Sequence, residues 1–112
     1  MKTKSAVTIL ASLAQDSRLA IFRILVQAGP TGMPAGKIAK DGNIPPSSLS
    51  FHMKELLYAN LVNARHEGRF IFYSANFSTM NDLLAFLTEN CCGDASCTTV
   101  CNPPDSVTKK RG

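Results

Sequence analysis

Cysteine is missing from the first ninety residues of this 112-residue chain, and no Cys-x-x-Cys pair occurs anywhere in it. The knuckle spacing that commonly holds structural zinc is therefore not available. No stretch approaches the roughly 18 consecutive apolar residues of a membrane span. Glycine-rich phosphate cradles and nucleophile elbows are lacking too. A thiolate attacking an oxyanion needs a cation a few residues on, but the sixth positions after the cysteines hold Cys97, Thr98, Pro103 and Val107, never arginine. Both histidines, His52 and His66, are remote in sequence from every cysteine. These absences argue against an enzyme.

What is present fits one small domain: 45% of residues are apolar and 18% charged, enough for a small core that a second copy would help complete. The excess of base over acid is unevenly spread. Through Asn76 there are nine basic and four acidic residues, net +5, whereas the remainder is net −1. Positive charge gathered on the first two thirds suits a polyanionic partner.

In chain order, Lys4 to Ala14 reads as an amphipathic helix whose narrow stripe, Val7, Leu10, Leu13 and Ala14, suggests packing outside its own monomer. Asp16 reads as an N-cap for a second helix, Ser17 to Ala28, with Leu19, Phe22 and Val26 on one line and Ile21, Leu25 and Ala28 beside it. Gly29 and Pro30 end it. Pro34 is placed to open a short helix to Lys40 that buries Ile38 and Ala39, and Asp41-Gly42-Asn43 makes a tight turn. A further helix starts near Ser47, with Leu49, Met53, Leu56 and Leu57 as its buried face. Short helix, glycine turn and amphipathic helix together make a helix-turn-helix.

The opposite face of that last helix carries Ser47, Ser48, Ser50, His52 and Lys54, short hydrogen-bonding groups and a cation of the kind that meets base edges and phosphates in a major groove. The runs Leu61 to His66 and Arg69 to Ala75, around Glu67-Gly68, read as a β-hairpin, with Arg65 and Arg69 beside its tip in reach of phosphates. A helix-turn-helix followed by a hairpin is a winged helix. The fold expected is mainly α with a β-hairpin wing. Ser78 or Thr79, with Asp82, caps a final helix striped by Met80, Leu83, Leu84 and Leu87. The first and last helices are the expected homodimer interface.

All four cysteines, Cys91, Cys92, Cys97 and Cys101, lie within eleven positions after that helix, separated by zero, four and three residues. A core role would scatter them. Clustered thiolates on a pliant segment suit a soft ion, and adjacent cysteines chelate together only if they leave the regular helix, for which Gly93-Asp94 supplies a turn. Three-thiolate capture of As(III), which favours a trigonal pyramid of sulfurs, fits this set better than four-cysteine zinc; Sb(III), Cd(II) and Cu(I) remain compatible. Disulfide pairing would require export. Met1 to Ala14 imitates a signal peptide, but Thr8 and Ser12 interrupt its apolar run, so a cytoplasmic protein is expected, with an exported disulfide protein as the lesser alternative.

The segments Asp16-Ser17-Arg18-Leu19-Ala20-Ile21-Phe22-Arg23-Ile24-Leu25, Ser47 to Leu56, Ala59-Asn60-Leu61-Val62 and Glu67-Gly68-Arg69 to Tyr73 resemble the ArsR/SmtB family of bacterial metal-sensing repressors. The resemblance runs from about Ser5 to Leu87. It implies a homodimer that holds double-stranded operator DNA when free of inducer and releases it on binding. Met33 to Asn43 lacks the Cys-x-Cys of the best-known arsenic sensors, and the last helix lacks the histidine ligands of the zinc sensors. The Asn-Cys-Cys at its end is similar to the subgroup associated with As(III). That similarity assigns Cys91 and Cys92 as ligands with Cys97 as the third and Cys101 as its rival, and As(III), Sb(III) or methylated As(III) as inducer, with no organic cofactor. A thiol redox sensor or a Zn/Cd sensor of the same fold is the alternative. Residues 1-90 are then the DNA-binding and dimerisation domain, and 91-112 a metalloid-binding segment with a basic tail.

Overall fold

The computed structural model describes residues 1–93. Five helices and a small sheet follow in the order α1 (Thr3–Leu13), α2 (Asp16–Ala28), β1 (Met33–Pro34), α3 (Ala35–Gly42), α4 (Pro46–Tyr58), β2 (Val62–Glu67), β3 (Phe70–Ala75) and α5 (Phe77–Leu87). The apolar periodicities explain the packing. Ile21 and Leu25 of α2, Ile38 of α3, Leu56 of α4 and Leu61 just beyond it are fully buried and form the centre of the core. Leu49 and Met53 bury the same face of α4 as Leu56, whereas Leu57, expected with them, stays partly exposed. On α1 the inner stripe is Ala6 and Ile9; Val7 and Leu10 point outward, as the narrow stripe suggested.

The chain leaves α2 through Gly29 and reaches β1 past Gly32, whose φ is +77° and whose hydrogen faces the carbonyl of Tyr73 so closely that a Cβ there would lie 2.3 Å from the oxygen. Glycine is needed at that position both for the left-handed backbone and for the close approach. β1 then pairs antiparallel with β3, Met33 opposite Tyr73 and Pro34 opposite Phe72. The sheet order is β1-β3-β2, so Pro34 sits on an edge strand, where its missing N–H costs no ladder bond. Pro34 was expected as the first helical residue; it instead precedes α3 with φ −72° and ψ 153°. Two residues are too few to show an alternating pattern, which is why this strand is invisible in the sequence.

Other boundaries move by one to three residues, and three of these shifts have a clear local reason. Gln15, not Asp16, caps α2: its side-chain oxygen accepts from the Arg18 amide at 2.9 Å, and Asp16 becomes the first helical residue, still at the favourable end of the helix dipole. α3 continues through Gly42 and closes on Asn43 in the left-handed conformation, a common C-terminal stop. Asn76, rather than Ser78 or Thr79, caps α5, accepting from the Thr79 amide at 3.2 Å. Thr79 is buried, and its hydroxyl accepts from Asn60 Nδ2 at 3.3 Å. Asn60, Asn76 and Thr79 thus join the exit of α4 to the start of α5.

The wing turn also differs from expectation. Glu67 pairs with Phe70, so Gly68-Arg69 rather than Glu67-Gly68 forms the two-residue connection, with Gly68 at φ +62°. Among the described residues no helix is long and apolar enough to cross a membrane.

Candidate nucleic-acid interface and thiol pair

α4 begins with two prolines because Pro46 has no amide hydrogen to waste at the first helical position. No side chain caps this end, so the first-turn amides, at the positive end of the helix dipole, are available to phosphate oxygens. Ser47, Ser48, Ser50 and Lys54 are exposed along the outer face, and the Ser50 hydroxyl donates back to the Pro46 carbonyl at 3.4 Å. Lys54 has no ion-pair or hydrogen-bond partner among the described residues.

His52 is placed differently from its neighbours. It is half-buried, and its Nδ1 lies 3.4 Å from Arg18 Nη1. A guanidinium only donates, so this contact is a hydrogen bond in the tautomer that leaves Nδ1 unprotonated. Arg18 also donates through Nε to the Ser12 carbonyl at 2.6 Å. One side chain of α2 therefore links the end of α1 to the middle of α4, a role for Arg18 that sequence reading missed; both ends of the link are long-range or carbonyl contacts that leave no spacing signal.

On the wing, Arg65 is held against the protein. Its Nε donates to Glu67 Oε2 at 2.6 Å, a second nitrogen donates to the Thr31 carbonyl at 3.1 Å, and the guanidinium stacks over Phe72 with 5.1 Å to the ring centre. Arg69, in the turn, is exposed and has no ion-pair or hydrogen-bond partner among the described residues. The two ion pairs among the described residues, Arg65 with Glu67 and Lys37 with Asp41, are solvent-accessible and contribute little stability.

The thiols lie just past α5. The Thr88 hydroxyl closes the helix on the Leu84 carbonyl at 2.8 Å, and Asn90, Cys92 and Gly93 all take positive φ. This irregular turn brings Cys91 Sγ to 3.7 Å from Cys92 Sγ, which a regular helix would not do for neighbouring residues. The separation is well above the ~2.04 Å of a disulfide. It is an ordinary contact between two sulfurs, near enough for both to reach one soft ion. Cys91 is half-buried and Cys92 exposed. Cys97 and Cys101 fall outside the described residues, and no group of three or more His, Cys, Asp or Glu side chains gathers among those described.

One further surface stands out. Val7 and Leu10 on α1, Leu19 on α2, and Leu84 and Leu87 on α5 are exposed aliphatic side chains. Leu19 and Leu84 also edge a cavity of about 320 Å³ between α2 and α5, whose wall includes Phe22, Val26 and Met80.

The helix-turn-helix domain model matches residues 13–65. Over 81 residues the chain is 35% identical to the arsenical resistance operon repressor of Bacillus subtilis (strain 168), covering 72% of this chain and 73% of that protein. It is 34% identical over 55 residues to the transcriptional repressor SdpR of the same organism, covering 49% of this chain but 61% of SdpR, so it spans less than two thirds of that relative. Among solved structures, NolR from Sinorhizobium fredii superposes with a TM-score of 0.63 at 30% identity, covering 77% of this chain and 83% of NolR. Fold, matched domain and relatives agree on a DNA-binding regulator rather than an enzyme: the chain belongs to the ArsR family of winged helix-turn-helix transcriptional repressors.

Proposed function

We propose that this protein is a metalloid-responsive repressor that grips operator DNA as an inducer-free homodimer and lets go when As(III) is bound by thiolates at the end of α5. The observation that carries the proposal is the 3.7 Å approach of Cys91 and Cys92, supported by the likeness to an arsenical resistance operon repressor. Cys97 supplies the third thiolate and Cys101 is its rival; both follow within nine positions of the pair. Sulfur ligands select soft ions, so Sb(III) and methylated As(III) are alternative inducers.

In the DNA-bound form Ser47, Ser48, Ser50, His52 and Lys54 face the major groove, and Arg65 and Arg69 face the backbone beside it. Residues 1–90 form the DNA-binding and dimerisation unit, residues 91–112 the metalloid-binding segment, and the protein works in the cytoplasm. The dimer forms through α1 and α5, whose outward aliphatic side chains a second copy would cover. Leu84 and Leu87 lie on the same helix as the thiol turn, four residues before Cys91 in the case of Leu87. Ligation there pulls on the dimer contact and changes the distance between the two α4 helices. Specific binding requires half-sites about one helical turn of DNA apart, so a small change in that distance is enough to release the operator. A near-complete switch needs a differential affinity of roughly 10⁴.

The test is fluorescence anisotropy of an operator duplex with reduced protein and stepwise As(III). Stoichiometric release supports the proposal; unchanged anisotropy at excess As(III) overturns it. A redox sensor using the same adjacent thiols is distinguished in the same experiment, because its response requires an oxidant and vanishes in excess reductant.

A further inference from the structure

The recognition helix carries a large apolar side chain where the surrounding surface is polar. Phe51 is 57% exposed, and along α4 it lies four residues after Ser47 and three before Lys54, hence on the same outer stripe. Ser47, Ser48, Ser50, Lys54 and Glu55 around it are exposed and polar. A ring among hydroxyls and two opposite charges is not the continuous apolar patch that a protein partner would cover. It matches the major-groove edge of an A·T pair, where one methyl group sits among hydrogen-bonding groups. Phe51 is the sixth of the thirteen residues of α4, in the N-terminal half that meets base edges in helix-turn-helix proteins. The other exposed aromatic residue of the helix, Tyr58, is at its last position.

The ring is also supported. Its centre lies 5.6 Å from that of His52 at an interplanar angle of 65°, the edge-to-face arrangement that aromatic pairs favour. His52 is in turn held by Arg18, which is fixed to the Ser12 carbonyl. Contacts from α1 and α2 thus restrict the orientation of a side chain that would otherwise be free at the surface.

Building on the operator-binding reading, we infer that Phe51 determines sequence specificity by packing against the 5-methyl group of a thymine in each half-site. Ser47, Ser48 and Lys54 supply the polar contacts around it.

The experiment uses the full chain, reduced, and the duplex it enriches most from a random-sequence pool. Each thymine is replaced in turn by uracil, which removes the methyl and keeps every hydrogen-bonding group. Wild-type protein loses about fourfold in affinity at one thymine per half-site, the loss expected for one methyl no longer buried. Phe51→Ala, at an exposed position and with unchanged melting temperature, binds the thymine and uracil duplexes equally; Phe51→Leu keeps part of the discrimination. If wild-type protein ignores every thymine-to-uracil change, or if Phe51→Ala discriminates as strongly as wild type, the inference is overturned while operator binding stands. If no duplex is enriched, both fall together.

Discussion

Replacing Gly32 by alanine tests the way the wing is anchored, and its effect follows from two separable terms. The first is the left-handed backbone, φ +77°, which costs an L-residue about 1–2 kcal/mol. The second is collision: the new Cβ would lie 2.3 Å from the Tyr73 oxygen and 2.9 Å from its carbonyl carbon, both backbone atoms of the central strand that cannot swing aside. Relieving it separates β1 from β3 or bends the loop, adding about 1–3 kcal/mol, the usual range for overpacking. Gly68 isolates the first term, because its φ is +62° and a Cβ there meets nothing within 4 Å. For a domain near 100 residues each kcal/mol shifts the melting temperature by about 4–8 °C. Gly68→Ala should therefore lower it by about 4–16 °C, and Gly32→Ala by roughly a further 4–24 °C, the share of the collision. Thermal melts followed by circular dichroism, at one fixed protein concentration because the proposed dimerisation would raise apparent stability, decide the matter. Equal shifts for the two variants would refute the close approach of the Gly32 loop to β3.

Three further outcomes are expected. Arg69→Ala lowers affinity for all duplexes alike and flattens the slope of log affinity against log salt by about 0.9 per lost phosphate contact, so about 1.8 for a dimer; an unchanged slope would place the turn off the DNA backbone. Cys91→Ser or Cys92→Ser leaves operator binding intact but removes the response to As(III), as read by the same anisotropy titration; loss of operator binding would make the thiol pair structural instead. Leu84→Glu, at a position 53% exposed in the single chain, converts the proposed dimer to monomer in sedimentation at micromolar concentration, whereas a dimer that persists would move the contact away from α5.

Much of the architecture was legible because it depends on periodicity. The stripes on α2 and α4 bury Ile21, Phe22, Leu25, Leu49, Met53 and Leu56, Leu83 is the buried member of the α5 stripe, and Val7 and Leu10 emerge as an outward pair on α1. What escaped detection depends on partners distant in the chain. β1 exists only because β3 offers it an edge, Thr79 is buried because Asn60 and Asn76 satisfy it and its helix, and Arg18 is defined by His52, 34 positions away. The candidate DNA face divides the same way. The serines and Lys54 lie exposed as expected, but His52 and Arg65 already have intramolecular partners, and Phe51 stood outside the polar pattern by which a DNA face is recognised. The adjacent cysteines predicted a turn, and the positive φ values at Asn90, Cys92 and Gly93 provide it.

Coupling between the thiol turn and the recognition helix is the central claim, and because coupling free energy is reciprocal it can be measured from either side. The direct measurement is the As(III) affinity of the reduced protein by calorimetry, first alone and then saturated with its operator duplex. The account predicts weaker As(III) binding to the complex, by the same factor by which As(III) weakens the hold on DNA. Identical affinity in the two states would contradict it.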